Sequence, residues 1–337
     1  MIDVAAMVDQ AAADERLSGV VRVEVGGDVT CAAYGWANRA YRIPNEVDTR
    51  FGIASGTKSF TAVTVMRLVE LGALTLDTTA RSLLGDDLVM IDDAVTVEHL
   101  LAHRSGIGDY LDEDNDYQLT DYVMTVPVHC LATAEAYLPA LEGRPMMFRP
   151  GDRFKYCNSG YVVLALLAER VTSTPFHDLV QQHVFDRAAM TASAFLRSDE
   201  LPGDAAIGYL FDDGLRTNSL HLPVRGSGDG GASTTVGDIQ RFWTALFGTH
   251  LVHAGSLEEM LRLRSSTASG RARYGLGFWL GPTSDAVELA VQLEGGDAGV
   301  SFRSVHQPSR GVTYTVVANA GDGAWRVADR LGDLLDA

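Results

Sequence analysis

Ser55 and Lys58 stand three residues apart in F-G-I-A-S-G-T-K-S-F-T-A, residues 51–62, where a mostly apolar segment begins. On a helix, residues three apart point roughly the same way, so the Lys58 amine can approach the Ser55 hydroxyl. A serine hydroxyl is a weak nucleophile at neutral pH and needs a base to take its proton during attack. Burial and the positive end of a helix dipole both lower a lysine's pKa, which yields such a base. The same helix end offers unpaired backbone N–H groups to an oxyanion. The spacing alone also fits a surface lysine beside a helix cap.

A second group lies in F-R-P-G-D-R-F-K-Y-C-N-S-G-Y, residues 148–161. Pro150-Gly151 turns the chain, and Tyr156 and Asn158 can then point together into a cleft. A tyrosine held near a lysine ammonium is stabilised as phenolate and can act as base, then return the proton to a leaving group. Asn158 can donate to a substrate carbonyl and accept from Lys58. On spacing alone, a core tyrosine and a helix-capping asparagine fit equally well.

These residues need elements to hold them. Asp3 caps an expected helix running to about Leu17. Val20–Val25 and Val29–Tyr34 read as strands joined by the turn Gly26-Gly27-Asp28. A further strand is expected before Ser55, then a helix from Ser55 or the next residue to about Gly72, apolar around most of its circumference and therefore buried. Helices are expected at 97–103, 160–170 and 176–184, and from Thr235 or Asp238 to Phe247. Strand character returns at 274–280, 287–293, 300–306 and 312–318, followed by a helix at 324–335. Strands at both ends and helices between predict an α/β (α+β) fold with one mixed or antiparallel sheet built from both termini. Within a single catalytic unit, residues 1–60 and 230–337 would form the sheet-containing lobe and residues 61–229 the mainly helical lobe. The cleft between them is the expected site.

The chain has 337 residues, 46% of them hydrophobic, and a formal net charge of −17. That charge disfavours nucleic acid and anionic membrane as partners and suits neutral or cationic small substrates. Three cysteines (Cys31, Cys130 and Cys157) argue against a disulfide framework. The acidic N-terminus is unlike a signal peptide and no apolar stretch is long enough to span a membrane, so a cytoplasmic protein is expected. The histidines lack compact metal-ligand spacing. His103 is read as structuring the turn at Ser105-Gly106, and His306 as a satisfied structural histidine. The loop carrying Asp229 among Gly226, Gly228, Gly230 and Gly231 lacks a phosphate-binding signature and reads as a turn or cleft rim.

Taken together, the blocks resemble the serine β-lactamase-like superfamily: class C β-lactamases, D-alanyl-D-alanine carboxypeptidases and related esterases. S-G-T-K-S-F at 55–60 resembles the nucleophile block. L-L-A-H-R-S-G-I at 100–107, the Tyr156 block, G-G-A-S-T-T-V-G-D-I-Q-R-F at 230–242 and Y-G-L-G-F-W at 274–279 are similar to further blocks of that superfamily. The resemblance implies Ser55 as nucleophile, Lys58 as its activating partner, Tyr156 as general base and then acid, and Asn158 orienting Lys58 and substrate. It implies an oxyanion hole from the Ser55 N–H and a strand N–H near Asp297, an acyl-enzyme intermediate, and no metal or organic cofactor.

One block departs from the pattern. The usual K-T-G or H-x-G is replaced in L-E-G-G-D-A-G-V, residues 293–300, with Glu294 at the cationic position and Gly296 at the final glycine. A glutamate facing the cleft would repel a substrate carboxylate. Substrate-binding residues are therefore expected at Asn158, Glu294, Gly296 and Asp297, with neutral esters, amides, short peptides or amine-bearing molecules as substrates. An acyltransferase using the same acyl-enzyme, or a noncatalytic binding protein on this scaffold, are the alternatives.

Overall fold

The computed structural model describes residues 3–114, 118–267, 270, 273–282 and 289–336. The strands of its main sheet, in chain order, are β1 (Gly19–Val25), β2 (Asp28–Tyr34), β3 (Ser265–Ser266), β4 (Arg273–Tyr274), β5 (Trp279–Pro282), β6 (Leu289–Asp297), β7 (Val300–Gln307) and β8 (Val312–Ala318). They form one sheet in the order β2-β1-β8-β7-β6-β5-β4-β3, and each adjacent pair is antiparallel. The two ends of the chain meet one strand in from its β2 edge, where Gly19 lies opposite Ala318 and Val25 opposite Val312.

Strand side chains alternate between faces, and here the alternation sorts two cores. Val21, Val23, Val316 and Ala318 point to one face, under helices α1 (Val4–Asp14) and α6 (Gly323–Asp336). Val20, Val317 and Phe302 point to the other. That face is covered by α2 (Thr57–Glu70), α3 (Val97–Leu101), α4 (Asn158–Thr172) and α5 (Val236–Phe247). β8 is buried along its whole length because both layers cover it.

The expected helices are present with shifted ends. Asp3 caps α1 by accepting the Ala6 N–H at 3.1 Å. Thr235 caps α5 by accepting the Asp238 N–H at 3.1 Å. The third expected helix of the middle region is α-helical only over Phe176–Val180 and widens to a π turn at Gln181–Phe185. The helix Ala254–Leu261 was not anticipated. The expected strand 274–280 is two strands, because Gly277 at φ +87° bends the chain and the Gly275 N–H bonds back to the Phe278 carbonyl at 3.0 Å. Of the strand expected at 287–293, residues 287 and 288 lie outside the described residues, and β6 starts at Leu289.

Candidate active site

The strand expected before Ser55 is the two-residue Phe51–Gly52, paired with Ser233–Thr234. This pairing draws the glycine-rich loop of residues 226–231 beside Ser55. Ser55 sits in the 3₁₀ turn Ala54–Gly56 that runs directly into α2. Ala54 has φ +43°, a left-handed conformation that costs a residue with a Cβ. The turn is held from both sides. Thr57 Oγ1 donates to the Ala54 carbonyl at 2.7 Å and accepts the Ala232 N–H at 3.0 Å. Gly295 of β6 packs against it so closely that an added Cβ would lie 2.0 Å from the Ile53 carbonyl oxygen. Only glycine lets β6 come this near.

Lys58 is 2% exposed. Its Nζ lies 2.9 Å from Ser55 Oγ, 2.7 Å from Asn158 Oδ1 and 2.7 Å from the Asp229 carbonyl oxygen. Burial lowers its pKa, opposed by the charges of Asp229, Glu113 and Asp109. A neutral amine would donate its two N–H groups to Asn158 and Asp229 and turn its lone pair to Ser55. Asn158 can accept from Lys58 because its amide nitrogen is occupied elsewhere, donating to the Leu111 carbonyl at 2.9 Å and to Glu113 Oε1 at 3.1 Å.

Tyr156 is wedged by aromatic rings. It stacks on Trp279 with centroids 5.9 Å apart and lies 4.4 Å from the His103 ring. Lys58 Nζ is 4.8 Å from its ring centroid. Burial pushes its pKa well above the ordinary value, the Glu113 charge adds to this, and a hydrogen bond with Ser55 works against it. Burial thus disfavours the phenolate expected there and favours the protonated phenol. His103 is buried and held neutral, its Nδ1 accepting the Cys157 N–H at 3.1 Å. His306 bonds Thr313 at 2.8 Å and stacks on Trp243, as expected of a structural histidine.

Three carboxylates at the site were not assigned from sequence. Asp109 Oδ2 accepts the Asn158 N–H at 2.7 Å and its Oδ1 accepts the Ser159 N–H at 2.9 Å, so a residue outside α4 caps that helix. Burial raises its carboxyl to about 6 against these hydrogen bonds. Glu113 meets Asn158 as above. The third is Asp229, whose loop was read only as a turn or rim: its carbonyl holds Lys58 and its carboxylate accepts the Tyr110 hydroxyl. The signal available for Asp109 and Glu113 was their nearness in sequence to the block at 100–107.

β6 ends at the site, and Gly296 and Asp297 line the cavity with Ser55, Asn158 and Asp229. The cavity measures about 360 Å³. Glu294 is placed differently from expectation. It shares a strand face with Gly296, whose added Cβ would meet Trp325 of α6, and its Oε1 lies 3.2 Å from Arg303 Nε. Arg303 also pairs with Asp329 of α6. A neutralised pair thus stands on the far face of the sheet, and the expected repulsion of a substrate carboxylate does not arise from Glu294.

The Beta-lactamase family profile matches residues 4–337. This chain belongs to the Beta-lactamase family. Among solved structures, it is similar to a penicillin-binding protein from Bacillus halodurans, with 36% identity and a TM-score of 0.91 over 97% of this chain and 99% of that one. Among curated relatives, it is 26% identical to penicillin-binding protein 4* of Bacillus subtilis (strain 168), over 90% of this chain and 68% of that protein. It is 30% identical to esterase EstB of Burkholderia gladioli, over 58% of this chain and 51% of that protein. The α/β architecture, an antiparallel sheet flanked by helices with further helices inserted, is that of the β-lactamase/transpeptidase group. Family membership places the chain among serine hydrolases. Among the described residues, no helix is long and apolar enough to cross a membrane.

Proposed function

We propose that the protein is a serine acyl hydrolase that cleaves a carboxylic ester or amide through an acyl-enzyme on Ser55. The observation that carries this reading is the Lys58 amine, buried and 2.9 Å from Ser55 Oγ, with two further acceptors fixing its orientation. In the first step the Ser55 hydroxyl proton passes to Lys58 as Oγ bonds to the substrate carbonyl carbon. The carbonyl oxygen becomes an oxyanion, for which the Ser55 N–H and the end of β6 are the nearby backbone donors. The carbon–leaving-group bond then breaks, and Tyr156 gives its proton to the leaving atom. Lys58 returns the proton to the Tyr156 oxygen. In the second step water attacks the acyl carbon and its proton passes to Lys58; the acyl C–Oγ bond then breaks, Lys58 hands that proton to Ser55 Oγ, and the carboxylic acid is released. EstB, an esterase, supports ester chemistry on this fold.

Intact-protein mass after exposure to a fluorophosphonate tests the reading, with S55A beside wild type. One adduct on wild type and none on S55A is expected. No adduct on folded wild type would sink it. An acyltransferase would show the same adduct but give a new ester or amide when an alcohol or amine competes with water.

A further inference from the structure

The cavity around Ser55 has an unusual charge balance. Glu113, Asp199, Asp229 and Asp297 line it, and among the described residues no lysine, arginine or histidine does. Two of these carboxylates are already engaged: Asp199 pairs with Arg197 at 2.8 Å, and Asp229 accepts the Tyr110 hydroxyl. The other two are not neutralised. Glu113 Oε1 accepts one amide N–H from Asn158, and Asp297 Oδ1 accepts the N–H of its neighbour Ala298 at 2.8 Å. Neither has an ion-pair partner among the described residues. Lys58 lies behind Ser55 with its amine committed to three oxygens.

Asp297 occupies a desolvated position that pushes its carboxyl up to about 7, with the charges of Glu113 and Asp229 adding to burial. Asp297 is half-buried and borders the cavity, so its second oxygen is open to a donor on a bound group. The lining also includes an apolar group, Leu196, Leu201, Leu222, Pro223 and Val224. A bound group must therefore bring positive charge near the nucleophile and apolar bulk away from it.

We propose that the cavity selects substrates whose acyl part carries a protonated amine, held between Glu113 and Asp297, with an apolar side group against the leucine wall: aminoacyl esters or amides. This rests on the serine hydrolase reading and names its substrate class. An ammonium there donates a charge-assisted hydrogen bond to each carboxylate, whereas a substrate carboxylate finds no cation in the lining among the described residues.

The experiment compares two p-nitroanilides of equal bulk. Phenylalanine p-nitroanilide, as both enantiomers, has the amine, and 3-phenylpropionyl p-nitroanilide lacks it. The fluorophosphonate adduct at Ser55 and p-nitrophenyl acetate turnover are measured on the same samples. We expect kcat/KM for at least one amine-bearing enantiomer to exceed that of the amine-free isostere by tenfold or more, about the value of one charged hydrogen bond. In E113Q and D297N that ratio falls toward one, the isostere being the internal reference in each variant. Adduct and acetate turnover with no amine preference would overturn the substrate class alone. So would a preference that survives in the E113Q/D297N double variant. No adduct and no turnover would remove the hydrolase reading, and this inference with it.

Discussion

The Asp109 carboxylate accepts the backbone N–H groups of both Asn158 and Ser159, at 2.7 and 2.9 Å, and so fixes the first turn of the helix that aims Asn158 at Lys58. D109N keeps the volume but turns donors toward donors. Displacement of Asn158 should cost about 10²-fold in kcat/KM, the penalty of an ångström-scale misplacement. The pH dependence carries a distinct sign. The folded-state pKa of about 6 lies above the ordinary 3.8. Below about pH 6 the carboxyl gains a proton, loses acceptor capacity, and activity should fall. Over the same window the folded state binds that proton more tightly than the unfolded chain, so this group adds stability as pH drops from about 6 toward 3.8. A pH–rate profile beside thermal melts should show activity and stability moving apart, and the acid limb should shift in D109N.

Lys58→Arg puts a permanent positive charge where the proposed mechanism uses a neutral amine, since a guanidinium holds its proton. Acylation should slow by about 10²–10⁴-fold, the usual worth of a positioned base. Burst kinetics with p-nitrophenyl acetate measures this, and a melting curve confirms that the larger head group is accommodated. Wild-type acylation in K58R would assign the base elsewhere.

Tyr156→Phe retains the stack on Trp279 and the packing on His103, and removes only the phenol oxygen. An acid matters most for poor leaving groups. Anilide cleavage should drop by about 10²–10⁴-fold, while p-nitrophenyl ester cleavage changes much less. Equal losses on both substrates would mean that Tyr156 acts by positioning Ser55 and not by protonating the leaving atom.

Glu294 and Arg303 make a structural prediction. R303A leaves Glu294 and Asp329 without their shared cation, and should cost about 1–3 kcal/mol in urea unfolding. E294Q should cost less. Because Glu294 faces α6, E294Q is not expected to improve turnover of a carboxylate-bearing penicillin; a large gain would return Glu294 to the cleft.

Spacing at a helix start could set Ser55 beside Lys58, but it left Tyr156 and Asn158 as ordinary core and cap residues, and only the resemblance of the whole blocks to the superfamily singled out all four. Asp109 and Glu113 were hidden because they act on α4 from a separate loop, across about fifty residues of chain. Asp229 contributes a backbone carbonyl, which residue type does not encode. The face of Glu294 was unreadable because Gly295 and Gly296 erase the polar alternation that would reveal it. The β1–β8 pairing was accessible only as an architecture, since hydropathy marks both strands without naming their partners.

That pairing has a consequence for the order of events during synthesis. The Ser55 turn is complete only when Ala232 bonds Thr57 and Gly295 seats against Ile53, and β6 is joined to β1 only through β7 and β8. Contacts so distant in sequence form slowly. A chain emerging from the ribosome therefore carries its serine and lysine early but cannot assemble the Ser55 site until the last strands arrive. Until then Ser55 lacks the turn contacts and the strand that hold its hydroxyl beside Lys58.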